Sequence, residues 1–187
     1  VEVILDRRLR DLRGDEPGLV GRWTLEGSGG ACDTSSFGRD GTRIGAYRPG
    51  ASPVTITPPL ARCLNFPGNG TVVIDAVPLS ASRGFTWQAS VLIDDLSRPC
   101  DLIKLTGFAV STSAGVTTVS VGASTFKYPV TLRARSWVSL GVRVGTDSKV
   151  TLFFGGKLVL TGDVSGLAVL DMLGAYGGVA KLGEGLD

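Results

Sequence analysis

Apolar and polar positions alternate with period two along most of this chain. From Phe85 to Ile93 the odd positions are apolar, while Thr86, Gln88 and Ser90 point the other way. That pattern predicts a strand with one buried face. Val138, Leu140, Val142 and Val144 alternate with Ser139, Gly141 and Arg143 in the same manner. Val150–Phe154 and Lys157–Thr161 flank Gly155-Gly156, a two-glycine turn suited to the positive φ angles of a tight hairpin. Shorter strand candidates are 102–105, 116–121, 125–130 and 164–169. Helical periodicity is confined to the first sixteen residues, where Leu5, Leu9 and Leu12 recur at helical spacing. The pattern predicts an all-β, antiparallel two-sheet β-sandwich.

Length and composition narrow the picture further. A chain of 187 residues suits one sandwich domain, and its 27 glycines suit many strands and tight turns. A domain of this size buries roughly two-thirds of its unfolded surface, so its core needs no metal or disulfide staple. The formal charge of +2 is too small to argue for nucleic acid. The one basic cluster, Arg7, Arg8, Arg10 and Arg13, is interleaved with Asp6, Asp11 and Asp15, as on a solvated helix face. No run of 18 apolar residues exists to span a membrane, and no signal peptide is visible; the Val1 start suggests a mature or excised chain. Three cysteines, Cys32, Cys63 and Cys100, cannot all pair within the chain. A Cys32–Cys63 disulfide and free buried thiols both remain open.

Gly18-Leu-Val-Gly-Arg-Trp-Thr-Leu-Glu-Gly, running into a glycine-rich loop with Asp33 and an Asp40-Gly41 turn, resembles the opening of a laminin-G-like module. Four further segments follow in that family's order: 64–74, 85–91 with 102–104, Trp137–Leu140, and Phe154–Val159. The resemblance covers most of the chain and implies a concanavalin A-like jelly roll. Members of the family end on a strand of the type Gly-x-Ile-Asp-Glu-Val-x-Ile and a short helix. Here the chain stops at Gly183–Asp187, while Val1–Leu5 and the following Asp6–Arg13 look like that missing strand and helix. Residues 1–16 are thus expected to complete a sandwich, this one or a neighbour's, or else to form a linker; residues 17–187 form the jelly-roll domain. An offset of this kind fits one period of a tandem array or a permuted chain.

Catalysis has few residues to draw on. The chain has no histidine, so no triad and no histidine metal site can form. Glu2, Glu16, Glu26 and Glu184 are not spaced to share a strand face as a glycosidase pair would. Asp94 and Asp95 are adjacent, and a turn suits them better than a dyad. The expectation is a protein that is not an enzyme. The resemblance implies one structural calcium ion, with Glu26, Asp33, Asp40 and Asp75 as the candidate ligands. The alternative is that Asp33 and Asp40 brace their turns by accepting backbone amides.

A sugar site needs exposed aromatic faces, and Trp23, Trp87 and Trp137 match core tryptophans of the family. Tyr47, Tyr128 and Tyr176 are left as candidate ligand platforms. Asn69-Gly70-Thr71 is a glycosylation sequon that also reads as a hairpin turn. Two function classes follow. One is a recognition or adhesion module of an extracellular, cell-surface or virion-surface protein, holding a glycan or cell-surface protein through its loops. The other is a structural or assembly module that self-associates or meets a neighbouring module through its N-terminal strand.

Overall fold

A computed structural model of the chain describes residues 21, 23–24, 31–45, 48–50, 63–65, 70–77, 84–105, 107–164 and 178–184. In chain order the strands are β1 (Trp23–Thr24), β2 (Cys32–Asp33), β3 (Thr42–Ile44), β4 (Arg48–Gly50), β5 (Cys63–Asn65), β6 (Thr71–Val77), β7 (Phe85–Val91) and β8 (Cys100–Leu105). They continue as β9 (Phe108–Ser113), β10 (Val116–Val121), β11 (Ser124–Thr131), β12 (Val138–Val144), β13 (Lys149–Phe154), β14 (Lys157–Asp163) and β15 (Gly178–Glu184). Every described pairing is antiparallel. A seven-stranded sheet runs β11-β10-β9-β8-β15-β6-β3, and a four-stranded sheet runs β14-β13-β12-β7. The antiparallel two-sheet sandwich expected from the sequence is the architecture observed.

The alternation that predicts the strands also builds the core. Leu140, Val142 and Val144 of β12 and Val150 and Leu152 of β13 are almost fully buried. They share one hydrophobic cluster with Phe108, Val110, Val119 and Val121 of the larger sheet. Side chains from two facing sheets interdigitate to fill such a layer. Phe85 of β7 meets Phe108 of β9 edge to face, ring centroids 5.0 Å apart, so this contact ties the sheets together. Tyr128 of β11 makes a second tie, its hydroxyl donating to the Gly141 carbonyl at 2.7 Å. Burial pushes both the Tyr128 phenol and the Cys100 thiol up, the latter to about 11.

Three glycines are needed where they stand, one for close approach and two for a turn. A Cβ at Gly162 of β14 would lie 2.5 Å from the Phe126 ring of β11, so the glycine lets these two edge strands approach. Pro129 lies in β11, which pairs only with β10 among the described residues; edge strands tolerate proline because they owe fewer ladder bonds. The β13–β14 turn is the two-residue hairpin expected, Gly155 and Gly156 having φ of 58° and 80°.

Three expectations are revised or fall elsewhere. Residues 64–74 do not form one hairpin: β5 pairs with β4, whereas β6 pairs with β3 and β15. Strand β15 was not predicted, its alternation interrupted by Gly178 and Gly183. It is specified by ladders on both sides, to β6 and to β8, and not by local pattern. The expected strand and helix at residues 1–16, and most of the 164–169 candidate, lie outside the described residues.

Candidate functional site

The carboxylate loop comes first, because the sequence singles it out. Ala31 and Gly41 form a bridge that closes the segment, with Gly41 N–H donating to the Ala31 carbonyl at 2.8 Å. Inside it, Asp33 is only 8% exposed. Its carboxylate accepts from Ser35 N–H at 2.9 Å, Ser35 Oγ at 2.8 Å and Arg39 N–H at 2.9 Å. Asp40 in turn accepts the Asp33 N–H at 2.9 Å. Trp23 locks the same loop from the side, Nε1 donating to the Arg39 carbonyl at 2.7 Å. Asp33 and Asp40 are therefore brought together, and each acts as a brace that satisfies backbone donors. Glu26 and the side chain of Asp75 lie outside the described residues. Among the described residues, no three histidine, cysteine or acidic side chains converge as a metal-holding group.

The three tyrosines do not form a common platform in the described structure. Tyr47 and Tyr176 lie outside the described residues. Tyr128 is 4% exposed, with its ring in the core. The period-two rule places it there: in β11, Phe126, Tyr128 and Val130 alternate with the more exposed Thr125, Lys127 and Pro129. A buried ring offers no face to a sugar, so the ligand role expected of Tyr128 gives way to a structural one. Asp94 and Asp95 occupy the turn expected of them. Asp95 accepts the Ser97 N–H and hydroxyl, which holds its carboxyl below the usual range, and Asp94 faces Arg135 at 3.6 Å. The side chain of Cys63 lies outside the described residues, and Cys32 is exposed on β2.

A different surface has the geometry of a binding site. The four-stranded sheet turns its core residues inward and leaves the intervening positions of β7, β12 and β13 on its outer face. There a groove of about 310 Å³ is lined by Thr86, Gln88, Ser139, Gly141, Arg143, Phe153 and Gly156. Strand register sets this grouping. Gly141 lies between Gln88 and Phe153, and Arg143 lies between Thr86 and Thr151. Gly141 deepens the depression: a Cβ there would sit 3.3 Å from the Phe153 Cβ and against the edge of its ring, so the missing side chain leaves the ring uncovered. Gln88 Nε2 donates to Ser139 Oγ at 3.0 Å, which orients its amide along the groove. The outcome is a shallow trough with an aromatic wall, hydroxyl and amide groups, and one guanidinium. The sequence displays each of these residues, but their convergence depends on the register of three strands.

Among solved structures, the chain is similar to the binding domain of Paraclostridial Mosquitocidal Protein 1 (TM-score 0.65, 13% identity, covering 90% of this chain and 45% of that one). It is also similar to a structure of botulinum neurotoxin type C, whose cell entry depends on interaction with two ganglioside molecules (TM-score 0.60, 13% identity, 90% and 43%). A third is the binding domain of botulinum neurotoxin DC in complex with rat synaptotagmin II (TM-score 0.52, 12% identity, 89% and 44%). At these identities the likeness shows the fold, and the chain spans less than half the length of each structure. No protein-family model and no curated protein matches the chain. Among the described residues no helix is long and apolar enough to cross a membrane.

Proposed function

We propose that this domain is a non-catalytic, laminin-G-like recognition module of a larger extracellular or surface protein, and that it holds a glycan on the outer face of its four-stranded sheet. The observation that carries this reading is the groove around Gly141, where Phe153 supplies an apolar wall beside Thr86, Gln88, Ser139 and Arg143. Sugars are recognised by this mixture: an apolar ring face packs on a side-chain wall while hydroxyls exchange hydrogen bonds with fixed polar groups. The proteins with similar folds include two binding domains, one of them in complex with rat synaptotagmin II, and a toxin whose cell entry depends on gangliosides, which supports the same class of role.

Hydrolysis is not part of the proposal, because sugar hydrolases need two carboxyl groups flanking the bond and none lines this groove among the described residues. The test is a glycan array probed with the wild-type domain and with the double variant Gln88→Ala, Phe153→Ala. Hits that disappear in the variant, with its circular-dichroism spectrum intact, support the groove. Hits retained by the variant move binding to another surface, and an array without hits rejects the glycan reading.

A further inference from the structure

We infer that the groove is built for an acidic saccharide, a pyranose bearing a carboxylate, and that Arg143 is the residue that selects it; this rests on the reading of the groove as a glycan-binding face. Arg143 is the single charged side chain among the residues lining the groove. It is exposed and projects from the penultimate position of β12, a strand paired on both sides, so its base is held by two ladders.

Among the described residues, no carboxylate stands at a position next to Arg143 on the sheet. On the outer face its cross-strand partners are Thr86 and Thr151, and the diagonal positions are Gln88, Lys149 and Phe153. Cross-strand and diagonal neighbours are the positions a side chain on a sheet can reach, and a carboxylate at one of them would ordinarily neutralise a central arginine. The described ion pairs join Arg98 to Asp95, Lys104 to Asp101 and Arg135 to Asp94, leaving Arg143 outside them. Lys149, one diagonal away, stands directly opposite Asp163 of β14, so it faces a carboxylate that Arg143 lacks. Asp147, in the turn beyond, accepts the Lys149 N–H at 3.3 Å.

A guanidinium presents parallel N–H donors that match a carboxylate in bidentate fashion, which neutral hydroxyls cannot reproduce. The groove floor at Gly141 lets a pyranose ring lie against Phe153 while its carboxylate reaches Arg143 from the side. Thr86, Gln88 and Ser139 remain for the neutral hydroxyls. Specificity would then come from one charge-assisted contact set among ordinary polar ones.

The experiment is calorimetric titration of the purified domain with the methyl glycosides of glucuronic, galacturonic and N-acetylneuraminic acid, alongside methyl glucoside and methyl galactoside. Wild type, Arg143→Gln and Arg143→Lys are compared, and the three acids separate a uronate from a sialic acid source. We expect at least one acid to bind about 10- to 100-fold more tightly than the neutral sugars, the usual range for hydrogen bonds to a charged group. Arg143→Gln should abolish that preference, bringing acidic and neutral sugars to within about twofold of one another, and Arg143→Lys should recover only part of it, since a point charge lacks the fork. Equal affinity for acids and neutral sugars, unchanged by Arg143→Gln, overturns the inference and leaves the glycan reading in place. Binding of no sugar by wild type overturns both.

Discussion

Removing one oxygen atom, in Tyr128→Phe, separates the structural from the ligand-binding role of that tyrosine. The ring is 4% exposed and its hydroxyl donates to the Gly141 carbonyl at 2.7 Å, linking an edge strand of the larger sheet to β12 of the smaller one. Phenylalanine fills the same space, so no cavity opens. What is lost is one buried hydrogen bond, worth about 1 kcal/mol net, plus part of the cost of leaving the carbonyl short of a donor. We therefore expect a loss of about 1–2 kcal/mol. For a domain of this length that lowers Tm by roughly 2–8 °C, at about 2–4 °C per kcal/mol.

Urea unfolding followed by tryptophan fluorescence should show a lower midpoint with an unchanged slope, the sign that stability and not compactness has changed. A pH arm checks the same bond. Burial raises the folded-state phenol above its unfolded value of about 10. Above that pH the unfolded chain ionises first, so wild-type stability falls as pH rises, and Tyr128→Phe should remove that component of the fall. Glycan binding by the variant should match wild type. An unchanged midpoint, or lost binding at full stability, would refute the core assignment.

Thr117 is fully buried, and its hydroxyl, like that of Thr112 opposite it, has no hydrogen-bond partner among the described residues. Thr117→Val keeps the shape and removes the unpaired group, so urea unfolding should show stabilisation by about 1 kcal/mol. Asp33→Ala strips three accepted hydrogen bonds from the loop brace and should cost about 1–3 kcal/mol, measured in the same way. If bracing is the whole role of Asp33 and Asp40, melts in calcium and in chelator should superimpose. A calcium-dependent rise in Tm would instead support a bound metal, since a ligand that binds only the folded state stabilises it by mass action.

Much of the sandwich was legible because its strands are amphipathic in the simplest sense. Phe85–Val91, Val138–Val144 and the Gly155-Gly156 hairpin each declare their inner face and their turn by local pattern alone. Strand β15 was not legible, because a strand paired on both sides is specified by its ladders, and Gly178 and Gly183 blur its alternation. The break between β5 and β6 was hidden for a related reason: a turn-forming sequence does not say which sheet each flanking strand joins.

The site was the least legible part. The carboxylates of Asp33 and Asp40 drew attention as possible ligands, yet they satisfy their own loop. Tyr128 stood out only because the three tryptophans were assigned to the core, although the alternation of Phe126, Tyr128 and Val130 already pointed it inward. Thr86, Gln88, Ser139 and Arg143 read only as the outward positions of separate strands, and Phe153 as one apolar residue of a hairpin. Register alone brings them together over Gly141, and long-range register is not written in local pattern.

The central claim, that ligand binds the outer face of the four-stranded sheet, is tested most directly by mapping amide chemical shifts during titration with the strongest glycan from the array. The account predicts saturable shifts concentrated at residues 86–88, 139–143 and 151–156, with the Cys32–Asp40 loop unmoved. Shifts centred on that loop, with β7, β12 and β13 silent, would contradict it.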